Sequence, residues 1–215
     1  MTALPLQPLI NARIVPVVVI ERLEDALPLA RALYAGGLST LEITLRTPCA
    51  LEALATIATA LPEANVGAGT VTNPSELAAV VDAGAQFAIA PGQSPALLAA
   101  GSQSPVPLIP GAVTPSEVMA ARDAGYRSLK FFPASVAGGA AALRAFAGPF
   151  KDVTFIPTGG INPGNLSDYL NLTNVVAAGG SWMLPADKIR AQDWSGLEVL
   201  AREAVSLAAS VKRGN

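Results

Sequence analysis

Histidine is absent from the sequence, and that gap removes more chemistry than any other feature. Without an imidazole there is no Ser-His-Asp or Cys-His arrangement, no histidine general base and almost no zinc site. A single cysteine, Cys49, excludes an intrachain disulfide, so a reducing, cytoplasmic setting is expected. Charged side chains are sparse at 14%, and a net charge of −2 leaves no basic face for nucleic acid. Mean hydropathy is high at +0.44, yet no apolar run approaches the roughly 18 residues of a membrane span. The first residues, Met1-Thr2-Ala3-Leu4-Pro5, lack a basic region and a long apolar core, so no signal peptide is expected. Any chemistry must rest on Lys, Asp, Glu, Arg, Tyr or hydroxyl side chains.

What is plentiful is alanine, leucine and valine in short segments, the composition of buried strands and alanine-rich helices. Residues 2–12 read as a short leading helix. The β-branched run Ile14 to Ile20 is followed by a helical pattern from Leu23 to Ala35 that stops at Gly36-Gly37. The same alternation then recurs. Strand-like runs at 40–45, 65–70, 87–90, 106–109, 127–132, 153–157 and 174–178 are each followed by a helical segment, the last over roughly Leu197 to Val211. Thr114-Pro115-Ser116-Glu117 has the pattern of a capping box with proline in the first turn. Eight such units with no intervening linker predict a single (β/α)8 TIM barrel over residues 1–215. The alternative, a doubly wound open sheet, would usually carry a G-x-G-x-x-G turn after its first strand, and none is there.

In such barrels the active site lies at the C-terminal ends of the strands, where the unusual polar residues of this chain fall. Lys130 stands inside the apolar run Ser128-Leu129-Lys130-Phe131-Phe132-Pro133. Two-residue alternation puts Lys130 on one face with Ser128 and Phe132 while Leu129 and Phe131 face the helices, so the lysine points into the barrel. A desolvated ammonium gives up its proton more readily, and a neutral amine in a dry pocket is what Schiff-base chemistry needs. The alternative is a stem that packs while its head reaches solvent. The other lysines, Lys151, Lys188 and Lys212, lie in polar or loop contexts.

Glu42, between Leu41 and Ile43, is either an ion-pair partner for Arg46 or Lys130 or the proton shuttle beside an imine-forming lysine. Arg46 offers a bidentate fork to a carboxylate or phosphate, and the Thr70 hydroxyl either joins it or caps the next helix. Gly159-Gly160 and Gly179-Gly180-Ser181, after the seventh and eighth strands, suit a phosphate held by backbone amides. With no base at hand, Cys49 reads as packing.

Taken together, seven ordered segments resemble the 2-keto-3-deoxy-6-phosphogluconate and 4-hydroxy-2-oxoglutarate aldolases, a class I (Schiff-base) family, over nearly the whole chain. They are Glu42 to Thr47, Gly67 to Val71, Pro91-Gly92, Pro110-Gly111 with Thr114 to Glu117, Lys130 to Ala134, Pro157 to Ile161 and Gly179 to Trp182. The resemblance implies that Lys130 forms the imine and that Glu42 relays protons through a water. Arg46 and Thr70 would hold the pyruvate carboxylate, while Pro91, Phe132 and Thr158 would contact substrate. Gly159, Gly160, Gly180 and Ser181 would hold its phosphate. It further implies a phosphorylated keto-sugar-acid substrate, pyruvate and glyceraldehyde 3-phosphate as products, a homotrimer, and neither metal nor organic cofactor. Ala90 and the pair Ala112-Val113 depart from the family's usual serine and Val-Ser, away from any assigned role. Three rival readings stand beside this one: an aldolase for the galactonate epimer, a phosphate-binding barrel isomerase or epimerase, and a non-catalytic sugar-phosphate sensor.

Overall fold

A computed structural model describes residues 6–212. The leading helix is α1 (Gln7–Ala12); the first residues of the expected segment lie outside those described. Strands and helices then alternate as β1 (Ile14–Val18), α2 (Leu23–Ala35), β2 (Thr40–Thr44), α3 (Ala50–Ala60), β3 (Asn65–Gly69) and α4 (Pro74–Asp82). Next come β4 (Ala88–Ile89), α5 (Pro95–Gln103), β5 (Leu108–Ile109), α6 (Pro115–Asp123), β6 (Ser128–Phe131) and α7 (Gly139–Phe146). The chain continues through β7 (Thr154–Pro157), α8 (Leu166–Leu170), β8 (Ala178–Gly180), α9 (Ala186–Arg190) and α10 (Trp194–Ser210).

Three successive helices start by one device. Asn73, Ser94 and Thr114 each accept a backbone N–H from three residues on, and each is followed by proline, whose missing N–H would have no helical partner there. At α6 the expected capping box is complete, with Glu117 Oε2 accepting from Thr114 N at 2.8 Å. Burial works against the Glu117 charge, but bonds from Val113 N, Thr114 N and the Thr114 hydroxyl outweigh it and hold the carboxyl below its usual range.

Six strands form a curled parallel sheet in the order β5-β4-β3-β2-β1-β8, while β6 and β7 pair with each other. Isolated bridges lie at both seams, Gly111 with Lys130 and Thr158 with Gly179. The strands bury both faces. Ile14, Val18, Leu41, Ile43, Val66, Ala68, Leu129, Phe131 and Phe155 pack under the helices. The alternate residues Val15, Ile89, Ile109 and Ile156 point the other way, with Phe87, Ala177 and Leu9 of α1, into a smaller inner cluster. Each fully buried Leu, Ile or Phe contributes roughly 1.5–3 kcal/mol, so the face that a strand turns outward is firmly set.

Two expectations need correcting. The last strand is Ala178–Gly180, not residues 174–178: Gly179 pairs with Val15 and Gly180 with Pro16, so both glycines lie within the strand. Their lack of side chains mimics a turn, whereas Val175 makes only an isolated bridge to Phe155 despite its β-branched neighbourhood. Helix α9 has no counterpart in the expected pattern, and α10 begins at Trp194, ahead of Leu197. Within α2, Asp25 is buried and accepts a forked pair of bonds from Arg22 and a third from Gln192, tying the start of α2 to the turn before α10. The Arg22 bond, which outweighs burial, holds the Asp25 carboxyl below its usual range.

Candidate active site

Lys130 sits at the third position of β6, and its neighbours decide where it points. Leu129 and Phe131 are buried against the helices, and the Phe131 ring meets Phe146 and Phe155 edge-on at 6.1 and 6.4 Å. Each such ring pair adds roughly 0.5–1.5 kcal/mol beyond its buried area. With that face anchored, Lys130 turns to the interior, where its side chain is only 3% exposed. Its ammonium donates to Glu42 Oε1 at 2.9 Å, and the Glu42 side chain is 1% exposed. Glu42 comes from β2, in the other sheet, so the pair crosses the interior. Both readings of Glu42 from the sequence are thus compatible with its place: it is an ion-pair partner, and it lies where a proton shuttle would have to lie.

Desolvation makes such a pair a poor stabiliser, because apolar residues of similar volume usually fill the same space at least as well. A buried charge pair of this kind marks a candidate functional site. The Phe132 ring, just beyond the end of β6, lies 5.4 Å from the Lys130 ammonium.

The same Phe132 lines a cleft of about 120 Å³ together with Arg46, Thr158, Gly159, Gly160, Gly180 and Ser181. Arg46, just beyond β2, donates from Nε to Thr70 Oγ1 at 3.3 Å and forms no ion pair among the described residues. Its fork therefore stays open to an anion. Thr70 has φ 63°, a left-handed conformation that a β-branched residue adopts only at a cost of roughly 1–2 kcal/mol. That conformation sets its hydroxyl beside Arg46, and strain of this kind gathers at functional sites. Gly159 and Gly160 have φ 101° and 76°, values that most side chains would forbid. The Thr158 hydroxyl is buried and finds no hydrogen-bond partner among the described residues, which leaves it a bond to give to a bound molecule.

Nine of the expected residues are thereby gathered around one interior, with Thr70 joined to them through Arg46. Pro91 stands apart. It lines a larger cleft, about 230 Å³, with Val71, Thr72, Gly92, Gln93, Ser94 and Leu97, where no side chain is charged. Sequence reasoning missed Val17 and Ile161, which complete the smaller cleft and carry no chemical signal beyond their strand-end positions. Cys49 is half-buried against the outer core, in keeping with a packing role. Among the described residues no three His, Cys, Asp or Glu side chains gather as a metal site would require, and no helix is long and apolar enough to cross a membrane.

Comparison with known proteins points one way. The family model for KDPG and KHG aldolases matches residues 7–200. A KHG/KDPG aldolase of Escherichia coli K12 is 55% identical over 89% of this chain and 90% of its own length. A crystal structure of the KDPG aldolase from Legionella pneumophila, with pyruvate captured as a covalent carbinolamine intermediate, superimposes with a TM-score of 0.89 at 49% identity, covering 92% of this chain and 97% of that one. The Zymomonas mobilis enzyme crystallised with 3-phosphoglycerate gives a TM-score of 0.88 at 42% identity, over 96% and 95% of the two chains.

Proposed function

This chain belongs to the KDPG and KHG aldolase family and is an aldolase, a carbon–carbon lyase, and on that premise we propose that it cleaves 2-keto-3-deoxy-6-phosphogluconate through an imine at Lys130. The observation that carries the reading is the buried ammonium–carboxylate pair, 2.9 Å apart, with its ammonium 5.4 Å from the ring of Phe132, which lines a cleft that also holds the Arg46 guanidinium.

The chemistry follows from that geometry. Glu42 takes the ammonium proton, which frees the Lys130 amine to attack the keto carbon, C2. Loss of water from the resulting carbinolamine leaves a protonated imine. A carboxylate then removes the C4 hydroxyl proton, the C3–C4 bond breaks, and its electron pair flows into the imine to give an enamine. Glyceraldehyde 3-phosphate departs. Protonation of the enamine at C3 regenerates an imine, and water releases pyruvate and the free lysine. Glu42, through a water where the distance requires it, is the group for both proton transfers, since histidine is absent.

The remaining roles follow from charge and reach. Arg46 and Thr70 hold the pyruvyl carboxylate, Phe132 packs on the substrate, and Thr158 uses its unspent hydroxyl on it. Gly159, Gly160, Gly180 and Ser181 receive the phosphate. The Legionella pyruvate adduct and the phosphorylated ligand of the Zymomonas enzyme support these two ends of the site. Because 4-hydroxy-2-oxoglutarate shares the pyruvyl half, it is a second substrate.

The same reading takes the eight strands as one closed (β/α)8 barrel in a single domain. The bridges from Gly111 to Lys130 and from Thr158 to Gly179 support closure at both seams. A cytoplasmic homotrimer completes the proposal, on the family's pattern. Borohydride reduction in the presence of pyruvate tests the core of it: the expected result is a reduced adduct mapped to Lys130, and an untrapped, unmodified lysine overturns the imine mechanism. Pyruvate release measured on the gluconate and galactonate epimers then decides the substrate.

A further inference from the structure

β3 turns Gly67 and Gly69 inward after Asn65, while Val66 and Ala68 pack outward under the helices. A strand interior is a poor place for glycine, which loses packing and entropy there unless another group approaches closely. Each vacancy is filled by a neighbour. A Cβ on Gly67 would meet the Phe87 ring at 2.5 Å. A Cβ on Gly69 would overlap Glu42 Oε1 and lie 2.7 and 2.8 Å from Glu42 Cγ and Cδ. Oε1 is the oxygen that accepts from Lys130.

Gly69 is thus glycine for space. It pairs with Thr44 in the regular ladder of β2 and β3, and its φ lies outside the left-handed range that alone would demand glycine. The other inward side chain beside it, Thr44, is held the opposite way by its hydroxyl bond to Val18 O at 2.9 Å, toward β1. The Glu42 side chain lies over the bare face of β3, in the slot at Gly69.

We infer that Gly69 is a positioning residue for the proton relay: its missing side chain fixes the Glu42 carboxylate over β3 and within reach of Lys130. The inference rests on the aldolase reading of the pair. A methyl group at position 69 pushes the carboxylate out of the slot, and displacement of a catalytic group by about 1 Å can lower turnover roughly 100-fold.

The test compares wild type, Gly69→Ala, Glu42→Ala and the double variant. Three readouts are used: borohydride trapping of pyruvate, exchange of pyruvate methyl protons in heavy water, and thermal unfolding. Wild type must trap and exchange; if it does neither, the aldolase reading fails and the positioning question falls with it. Given an active wild type, Gly69→Ala is expected to trap pyruvate at Lys130 but exchange methyl protons roughly 10- to 100-fold more slowly. Its unfolding midpoint should fall in the Glu42 background and be unchanged or higher in the Glu42→Ala background, where the slot is empty. Wild-type exchange in Gly69→Ala overturns the inference. So does an equal loss of stability in both backgrounds, because the methyl would then clash with something other than Glu42.

Discussion

Lys130 with Glu42 and Lys188 with Asp193 are the same chemical pair in two settings. The first partners are 88 residues apart in sequence, with side chains 3% and 1% exposed. The second are five residues apart, at the α9–α10 turn, and 35% and 36% exposed. At the surface, water screens the attraction, and the pair's main effect is local: Asp193 also caps α10 by accepting from Gly196 N at 2.9 Å. In the interior neither charge keeps its hydration, so each depends on the other. The same charges in contact therefore carry unequal consequences, and on the proposed mechanism it is the buried pair that exchanges a proton with a bound carbonyl compound.

The largest effect is expected from Lys130→Met. It should abolish pyruvate trapping and lower turnover by roughly four orders of magnitude or more. It should also destabilise the fold by about 3–5 kcal/mol, since Glu42 is left buried without its partner; denaturant titration measures that. Glu42→Gln comes next. It should keep a trappable lysine while lowering kcat by roughly 10²- to 10⁴-fold, and full turnover would refute the relay role. The double variant Lys130→Met with Glu42→Leu should regain most of the stability that the single lysine change loses, although it stays inactive. That recovery would separate what the pair does for function from what it does for folding.

Asp193→Asn should have the smallest effect. Asparagine keeps the cap and removes the charge, so activity should be unchanged and the unfolding midpoint should move only slightly, less so in high salt. Its pH dependence has a definite sign. The Lys188 bond holds the Asp193 carboxyl below its usual range, so the aspartate's contribution is present above the unfolded carboxylate range and is lost as pH falls through the folded value. The Asp193 bond raises Lys188, so the lysine's contribution is present below its unfolded value and is lost as pH rises through the raised one. Unfolding midpoints of wild type and Asp193→Asn should converge at both pH extremes.

The two pairs also differ in how far the sequence reveals them. Lys188 and Asp193 are close enough in the chain to meet across one turn. The inward direction of Lys130 is equally local, because alternation with Leu129 and Phe131 holds wherever β6 ends up. That Glu42 meets it is a different kind of fact, decided when β2 and β6 take positions on opposite sides of one interior. Gly179 and Gly180 were misread for a related reason: glycine carries no pattern of its own, and their strand pairing with Val15 and Pro16 depends on a segment some 160 residues earlier. Pro91 fell in the expected strand-end region but against a different cleft, a distinction that alternation cannot make.

Helix starts at Asn73, Ser94 and Thr114, the facing of each strand, and the absence of imidazole chemistry are properties of neighbouring residues, and the sequence by itself determined them. Which inward side chains touch, which glycine makes room for Glu42, and which strand the last glycines join were decided only by the tertiary structure. The reason is physical: hydrogen-bonded caps and two-residue alternation act over a few bonds of chain, whereas the dry Lys130–Glu42 contact exists only once distant strands have excluded water from the space between them.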